Sequence, residues 1–253
     1  IAAVLVIWFG YNISNRTPVS TEPIKIGAIL PLSGNLAVYG EPALKAINLV
    51  VEDINGLGGI NGRQLDVIFE DHKCDSKTAI SAFEKAYLRG ARLFISVACS
   101  NTVLSIAPNL KDKKAVLIGH LTTTPKITGI SPWVFRNWAS DAKETEIFAN
   151  EIIKNNYKEI GIIYEQTDYA KGLKDSLIGY LDGSGVNIVD ESYTSDDTDV
   201  RTQLAKIKTT KPDIVFISAQ LNTGDLVLKQ MEQLRFNVKL IISDSLLKAP
   251  QLI

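Results

Sequence analysis

Two stretches of this chain place small hydroxyls where an anion could be held. Leu93-Phe94-Ile95-Ser96-Val97-Ala98 is an apolar run that ends abruptly in Cys99-Ser100-Asn101-Thr102. Ala115-Val116-Leu117-Ile118-Gly119 is a second such run, ending in Leu121-Thr122-Thr123-Thr124-Pro125. Both are short and unalternating, the pattern of strands buried on both faces. In an open parallel sheet the ligand crevice lies outside the carboxyl ends of the strands. Hydroxyls and free amides at two adjacent strand ends, with a helix N-terminus after one of them, suit a carboxylate or another small anion. Each Ser or Thr taken alone reads equally well as a helix cap; the two ends together favour a site.

Little else in the chain offers chemistry. A length of 253 residues gives room for one large domain or two medium ones. The net charge is −1 and there is no basic run, so no nucleic-acid partner is expected. Two cysteines, Cys74 and Cys99, exclude an all-cysteine zinc site, and two histidines, His72 and His120, argue against a histidine-based metal site or triad. A cysteine–histidine nucleophile and base stays open as a minor alternative. Gly56-Leu57-Gly58-Gly59-Ile60-Asn61-Gly62 follows a helical segment and precedes a strand, the reverse of a dinucleotide fingerprint, and reads as a helix stop and tight turn. Asp196-Asp197-Thr198-Asp199 lacks the Gly and terminal Glu of a calcium loop and reads as capping and solvation, with Asp199 capping a helix that runs through Lys208. There is no nucleophile elbow and no phosphate loop. The expectation is a binding protein, not an enzyme, with no cofactor and no metal.

The elements that would carry the hydroxyls alternate. Strands are expected at Ile24–Leu30, Gln64–Glu70, the two opening runs, Trp133–Arg136, Ile160–Tyr164, Val186–Val189, Asp213–Ile217 and Lys239–Ile242. Helices are expected from Glu41-Pro42 to Ile54, at Ser76–Arg89, around Val103–Lys111, at Glu144–Asn155 with Ile147, Phe148, Ile152 and Ile153 inward, at Gly172–Leu181 and at Asp225–Arg235. The first helix carries Leu44, Ile47, Leu49, Val50 and Val51 at mostly helical spacing. Strand–helix alternation implies right-handed crossovers and parallel sheets with helices on both faces. The pattern restarts after Ser140-Asp141, giving two successive α/β units: residues 24–139 and 140–253. A two-lobed cleft without catalytic machinery points to binding by hinge closure around a small molecule.

Residues 1–23 stand apart. Ile1–Phe9 is uninterruptedly apolar but shorter than the ~20 residues of a spanning helix. It fits the hydrophobic part of an export signal or the tail of a clipped N-terminal anchor, and a polar tether follows it up to Pro23. An ordinary first strand or helix is the alternative. The expected location is therefore the periplasm or outer face of the cell membrane, with membrane contact only through such an anchor.

In order along the chain come Ile24-Lys25-Ile26-Gly27, Pro31-Leu32-Ser33-Gly34, Tyr39-Gly40, Asp53-Ile54-Asn55-Gly56, Gly58-Gly59-Ile60-Asn61-Gly62, Asp71 with Cys74-Asp75, Cys99-Ser100, Thr123 with Pro125, and Asp168-Tyr169-Ala170-Lys171-Gly172. In this series the chain resembles the periplasmic leucine/isoleucine/valine-type substrate-binding proteins of ABC transporters, from Ile24 to the end. The resemblance implies the type I periplasmic-binding fold, truncated at its C-terminus, since the family continues for another half-lobe. It implies that Ser100 and Thr123 hold a ligand carboxylate with backbone amides near Leu121, and that Tyr39 and Tyr169 line the cleft. It implies an acid after the strand Lys239–Ile242 for the ligand's ammonium, here Asp244, where Leu/Ile/Val binders carry a longer acid. Gln220 falls where they often have an aromatic residue, which makes a polar or smaller amino acid plausible. Cys74 and Cys99 occupy positions that are disulfide-bonded in similar exported proteins. The implied partners are an amino acid and an ABC permease; the alternative is a ligand-sensing domain of a membrane receptor or amide-responsive regulator of the same fold.

Overall fold

A computed structural model describes residues 21–247; the apolar N-terminal run lies outside them. The first unit opens with β1 (Ile24–Leu30), α1 (Ala37–Gly56), β2 (Leu65–Asp71), α2 (Ser76–Leu88) and β3 (Leu93–Val97). It continues through α3 (Ser100–Ile106), a 3₁₀ turn, α4 (Leu110–Lys113), β4 (Val116–Gly119) and β5 (Val134–Arg136). All five strands pair in parallel in the order β2-β1-β3-β4-β5. The second unit holds α5 (Asp141–Lys154), β6 (Glu159–Glu165), α6 (Asp168–Leu181), β7 (Asn187–Tyr193), α7 (Arg201–Thr209), β8 (Ile214–Ser218), α8 (Leu221–Gln233) and β9 (Lys239–Ile242). Its order is β7-β6-β8-β9, again parallel.

The two sheets share one winding. In each, the chain starts in an inner strand, steps to one side, then returns past the start. The switch points lie between β1 and β3 and between β6 and β8, so the crevices that bind ligands in such sheets open at the carboxyl ends of those four strands. The strands between them are buried because their runs are apolar on both faces: every residue of β8 is buried.

Apolar packing holds each unit. In the first, Phe83 of α2 stacks at 4.5 Å on Phe94 of β3, among Ile106, Leu110 and Leu117. The second has a core on either face of its sheet, one around Tyr193, Ile163 and Ile217 and one around Ile152, Ile162, Leu173 and Phe216. Burying a side chain of this size contributes about 1.5–3 kcal/mol.

Several expectations are corrected. Ile147 and Ile153 are exposed, because the inner stripe of α5 runs through Thr145, Ala149 and Ile152. In α1 only Gly40 is buried, and Leu49 and Val50 face solvent. Five helices begin earlier than their apolar periodicity suggests. α1 starts at Ala37 with Pro42 inside it, α3 at Ser100, α5 at Asp141, α6 at Asp168 and α8 at Leu221. Polar first turns hide the starts of the last four; α6, for example, is capped by the Thr167 hydroxyl, which accepts from the Ala170 N–H at 3.2 Å. The cap position of α7 is Val200, although Asp199 Oδ1 does accept from the Arg201 N–H at 3.0 Å.

Two glycines permit close approaches. A Cβ at Gly40 would stand 2.0 Å from the Pro31 carbonyl oxygen, so glycine lets α1 pack against the end of β1. A Cβ at Gly172 would stand 2.5 Å from Thr124 Oγ1, so glycine lets α6 of the second unit lie against the loop after β4 of the first.

Candidate functional site

The switch points of the two sheets face one cavity of about 490 Å³. Tyr39, Ser100, Leu121 and Thr123 line it from the first unit, and Tyr169, Gln220 and Asp244 from the second. The structure thus brings all seven residues singled out above to one place. Leu36, Pro42, His120, Trp138 and Ser245 also line it. Sequence reasoning did not select these, because nothing in their spacing distinguishes them from loop residues.

The wall of the first unit is rich in donors. Ser100 opens α3 and is buried, and its Oγ accepts from the Thr124 N–H at 3.3 Å. The hydroxyls of Thr122 and Thr124 are buried without a hydrogen-bond partner, and that of Thr123 lies against the Asp141 carboxyl. Among the described residues no acceptor meets the N–H groups of Leu121, Thr122 or Thr123. Leu121 and Cys99 both have positive φ, 53° and 66°. Such conformations cost energy in residues with side chains and recur at binding sites. Arg136 fixes this loop from behind, donating to the carbonyls of Thr123 and Thr124 at 3.1 and 3.0 Å. Unpaired buried donors are costly, and a carboxylate would satisfy several at once.

The opposite wall carries Asp244, the one acid among the residues that line the cavity. Asp244 opens a 3₁₀ turn after β9, exposed to the cleft, and its Oδ1 accepts from the Tyr169 hydroxyl at 2.8 Å. Its N–H donates to Glu144 Oε1 at 3.1 Å. Asp141, almost fully buried at the start of α5, lies close by, with Oδ2 unpartnered. Burial, with the charges of Asp244 and Asp141, pushes the Glu144 carboxyl up to about 8. Burial, reinforced by Asp244, pushes Asp141 up to about 7, against the pull of the Thr123 hydroxyl and then of Arg136. Burial and then the charge of Asp244 raise Tyr39 and Tyr169 as well. Burial is the main cause of these shifts, and the Asp244 charge adds to each.

Gln220 caps α8, and its N–H donates to Glu165 Oε2 at 2.9 Å. Glu165 is buried and also accepts from Thr223 Oγ1 at 2.9 Å, so it braces the wall. Beyond Gln220 the cleft continues into a more polar chamber of about 410 Å³, lined in part by Lys73, Asn101, Gln166 and Asn222.

Two features tie the walls. Asp141 N–H donates to the Thr123 carbonyl at 2.9 Å where the chain crosses between units. Asn222 Nδ2 donates to the Asn35 carbonyl at 3.2 Å across the cleft. A disulfide joins Cys74 to Cys99 across 25 residues, with Cα atoms 5.8 Å apart, and so anchors the residue beside Ser100. His72, wholly buried next to it, accepts from the Cys74 N–H at 2.9 Å through Nδ1, and burial pushes its pKa down to about 4. His72, Cys74 and Cys99 form the one cluster of metal-ligand types among the described residues. With both sulfurs in the disulfide they offer no thiolate.

Known proteins share this fold. The sequence model of the periplasmic binding protein family matches residues 23–251. A Leu/Ile/Val-binding protein of Rhizobium johnstonii is 28% identical over 233 residues, which cover 90% of this chain and 63% of that protein. A leucine-binding protein of Thermotoga maritima superposes with a TM-score of 0.82 at 24% identity, covering 91% of this chain and 65% of that one. The branched-chain amino acid transporter substrate-binding protein of Streptococcus pneumoniae, solved with isoleucine, superposes with a TM-score of 0.76 at 26% identity, covering 88% and 64%. The chain therefore spans less than two thirds of the length of each of these proteins.

Proposed function

Because this chain belongs to the periplasmic binding protein family, we propose that it is the ligand-capturing part of an extracytoplasmic receptor of an ABC importer. It takes up an amino acid, or a similar small polar solute, by closing two lobes around it, and hands it to a membrane permease. One observation carries the reading. A single cleft sets the hydroxyls of Ser100 and Thr123 and the unpaired amides of Leu121–Thr123 opposite the carboxylate of Asp244. A zwitterion needs both, since a buried unpaired charge is very costly.

In this reading Ser100 and Thr123 hold the carboxylate, Asp244 takes the ammonium, and Tyr39 and Tyr169 close over the ligand. Leu36, Leu121 and Trp138 give the side chain an apolar wall, and Gln220 adds a polar one. Leu/Ile/Val-type relatives make an aliphatic amino acid the first ligand to test. Export follows from the same family. Among the described residues no helix is long and apolar enough to cross a membrane.

A second reading rests on the apolar wall alone. Trp138, edge-on to His120 at 6.0 Å, would also receive an aromatic carboxylate. Such a ligand would leave Asp244 unanswered. Calorimetric titration of the full-length protein with each common amino acid and with benzoate separates the two.

A further inference from the structure

The ligand cavity does not end at Gln220. The chamber of about 410 Å³ beyond it shares Leu36, Cys99, Ser100, Tyr169 and Gln220 with the cavity itself, so the two form one continuous space. Ser100, assigned above to the ligand's carboxylate, lies on the boundary. A side chain leaving the ligand's Cα can therefore turn either way. One way leads to the apolar wall at Leu121 and Trp138, the other past Gln220. Lys73 and Asn222 are exposed at the mouth of the second chamber, while Ser100 and Glu165 are buried.

Both acids of this chamber are already answered. Glu165 accepts from the hydroxyls of Ser195 and Thr223 and from the Gln220 N–H. Asp168 faces Lys126 at 3.9 Å and stands in the first turn of α6, where a negative charge is favoured. Lys73 differs. Its backbone N–H donates to Asp71, but among the described residues no acid pairs with its ammonium. Two amides complete the set. Asn101 Nδ2 donates to the Cys74 carbonyl at 2.7 Å, and Asn222 Nδ2 to the Asn35 carbonyl at 3.2 Å. A carbonyl only accepts, so each amide must turn its N–H groups to it and its oxygen elsewhere. Among the described residues no donor meets either amide oxygen. The chamber thus offers two unanswered acceptors and one unanswered cation. A carboxylate has no N–H for the first, a guanidinium has no acceptor for the second, and an alkyl chain answers neither. A carboxamide answers both.

We propose that this second chamber is a side-chain subsite for a carboxamide. A ligand held by its carboxylate at Ser100 reaches past Gln220 with a side chain whose terminal N–H groups donate to the oxygens of Asn101 and Asn222 and whose terminal oxygen accepts from Lys73. This rests on the amino-acid reading above and names the side chain that the site prefers. Leucine still binds by its two charged ends, but its alkyl group leaves these three polar groups to water. Matching them adds about tenfold in affinity, the worth of one or two net hydrogen bonds.

The test is calorimetry of the full-length protein with L-glutamine, L-glutamate and L-leucine. Wild type should bind glutamine about tenfold tighter than leucine, and tighter than glutamate, which has the same shape but no terminal N–H. Lys73→Met keeps an unbranched stem and removes the ammonium. It should weaken glutamine by about tenfold and leave leucine unchanged, a difference that a general loss of structure would not produce. Glutamine binding wild type no tighter than leucine, or glutamate binding tighter than glutamine, would overturn this inference and leave the amino-acid reading intact. An equal effect of Lys73→Met on glutamine and leucine would overturn it too. Failure of every common amino acid to bind wild type would overturn both readings.

Discussion

The Tyr169 hydroxyl donates to Asp244 Oδ1 across 2.8 Å, joining the first turn of α6 to the segment after β9. The two residues are 75 positions apart; Tyr169 follows β6 and Asp244 follows β9, the strands on either side of β8 in the second sheet, so the bond spans the carboxyl end of β8. It orients the one carboxylate that faces the hydroxyl wall of the first unit.

Asp244→Asn should therefore weaken amino-acid binding, because the amide keeps the shape and loses the charge. A hydrogen bond to a charged group is worth about 2 kcal/mol, roughly thirtyfold in Kd. Tyr169→Phe, which removes only the orienting hydroxyl, should cost less. Calorimetry with leucine checks both, and unchanged affinity in the Asn variant would remove Asp244 from the site.

Thr123→Val should lower affinity by about tenfold, the worth of one hydrogen bond to a carboxylate at the low end of its range. The hydroxyl lies against the Asp141 carboxyl in the empty protein, so the empty variant should lose only a small part of its stability to urea. A large loss of stability would show that the hydroxyl serves the fold rather than the ligand.

Removing the Cys74–Cys99 bridge should destabilise the protein by about 3 kcal/mol, as expected for a loop of this length. Urea unfolding of the Cys74→Ser/Cys99→Ser double variant measures it. The unreduced wild-type protein should show no titratable thiol when denatured. Binding should weaken too, since the bridge holds Cys99 beside Ser100.

His72 makes stability depend on acid. Its folded pKa, about 4, lies below the ordinary 6.5, so between these values the unfolded chain binds more protons than the native one. The stabilisation is fully present above pH 6.5 and is lost as pH falls toward 4, at most about 3 kcal/mol. Asp141 and Glu144 work in the opposite sense, being raised in the folded protein, so they favour the empty protein more as pH falls. The His72 contribution is isolated by comparing urea midpoints of wild type and His72→Asn from pH 7 to 4.5. The gap between them should narrow with falling pH; a constant gap would contradict the assignment.

Much of the architecture was legible because buried parallel strands announce themselves as short apolar runs: Lys239–Ile242 falls where the structure has it. Order along the chain then placed the strand ends, and with them Ser100 and Thr123, while the family resemblance pointed to Asp244; all three line one cleft. Helix starts were less legible, since Ser100, Asp168 and Leu221 open helices with polar turns that carry no periodicity. Ile147 and Ile153 misled because apolar type alone does not say which stripe of α5 faces the sheet. Glu144 was invisible for a different reason. An acid in the first turn of a helix reads as a partner of the helix dipole. Only folding brings Asp244 to it, a hundred residues later.

The central claim is that the cleft binds a zwitterion by both its ends. The measurement that tests it most directly is calorimetric titration of the full-length protein with L-leucine beside two truncated analogues, isocaproate without the amine and isoamylamine without the carboxylate. The account predicts micromolar or tighter binding of leucine and at least a hundredfold weaker binding of either analogue, about 3 kcal/mol for each lost charge-assisted contact set. Isocaproate or benzoate binding as tightly as leucine would contradict it, since Asp244 would then face a ligand with nothing to give it.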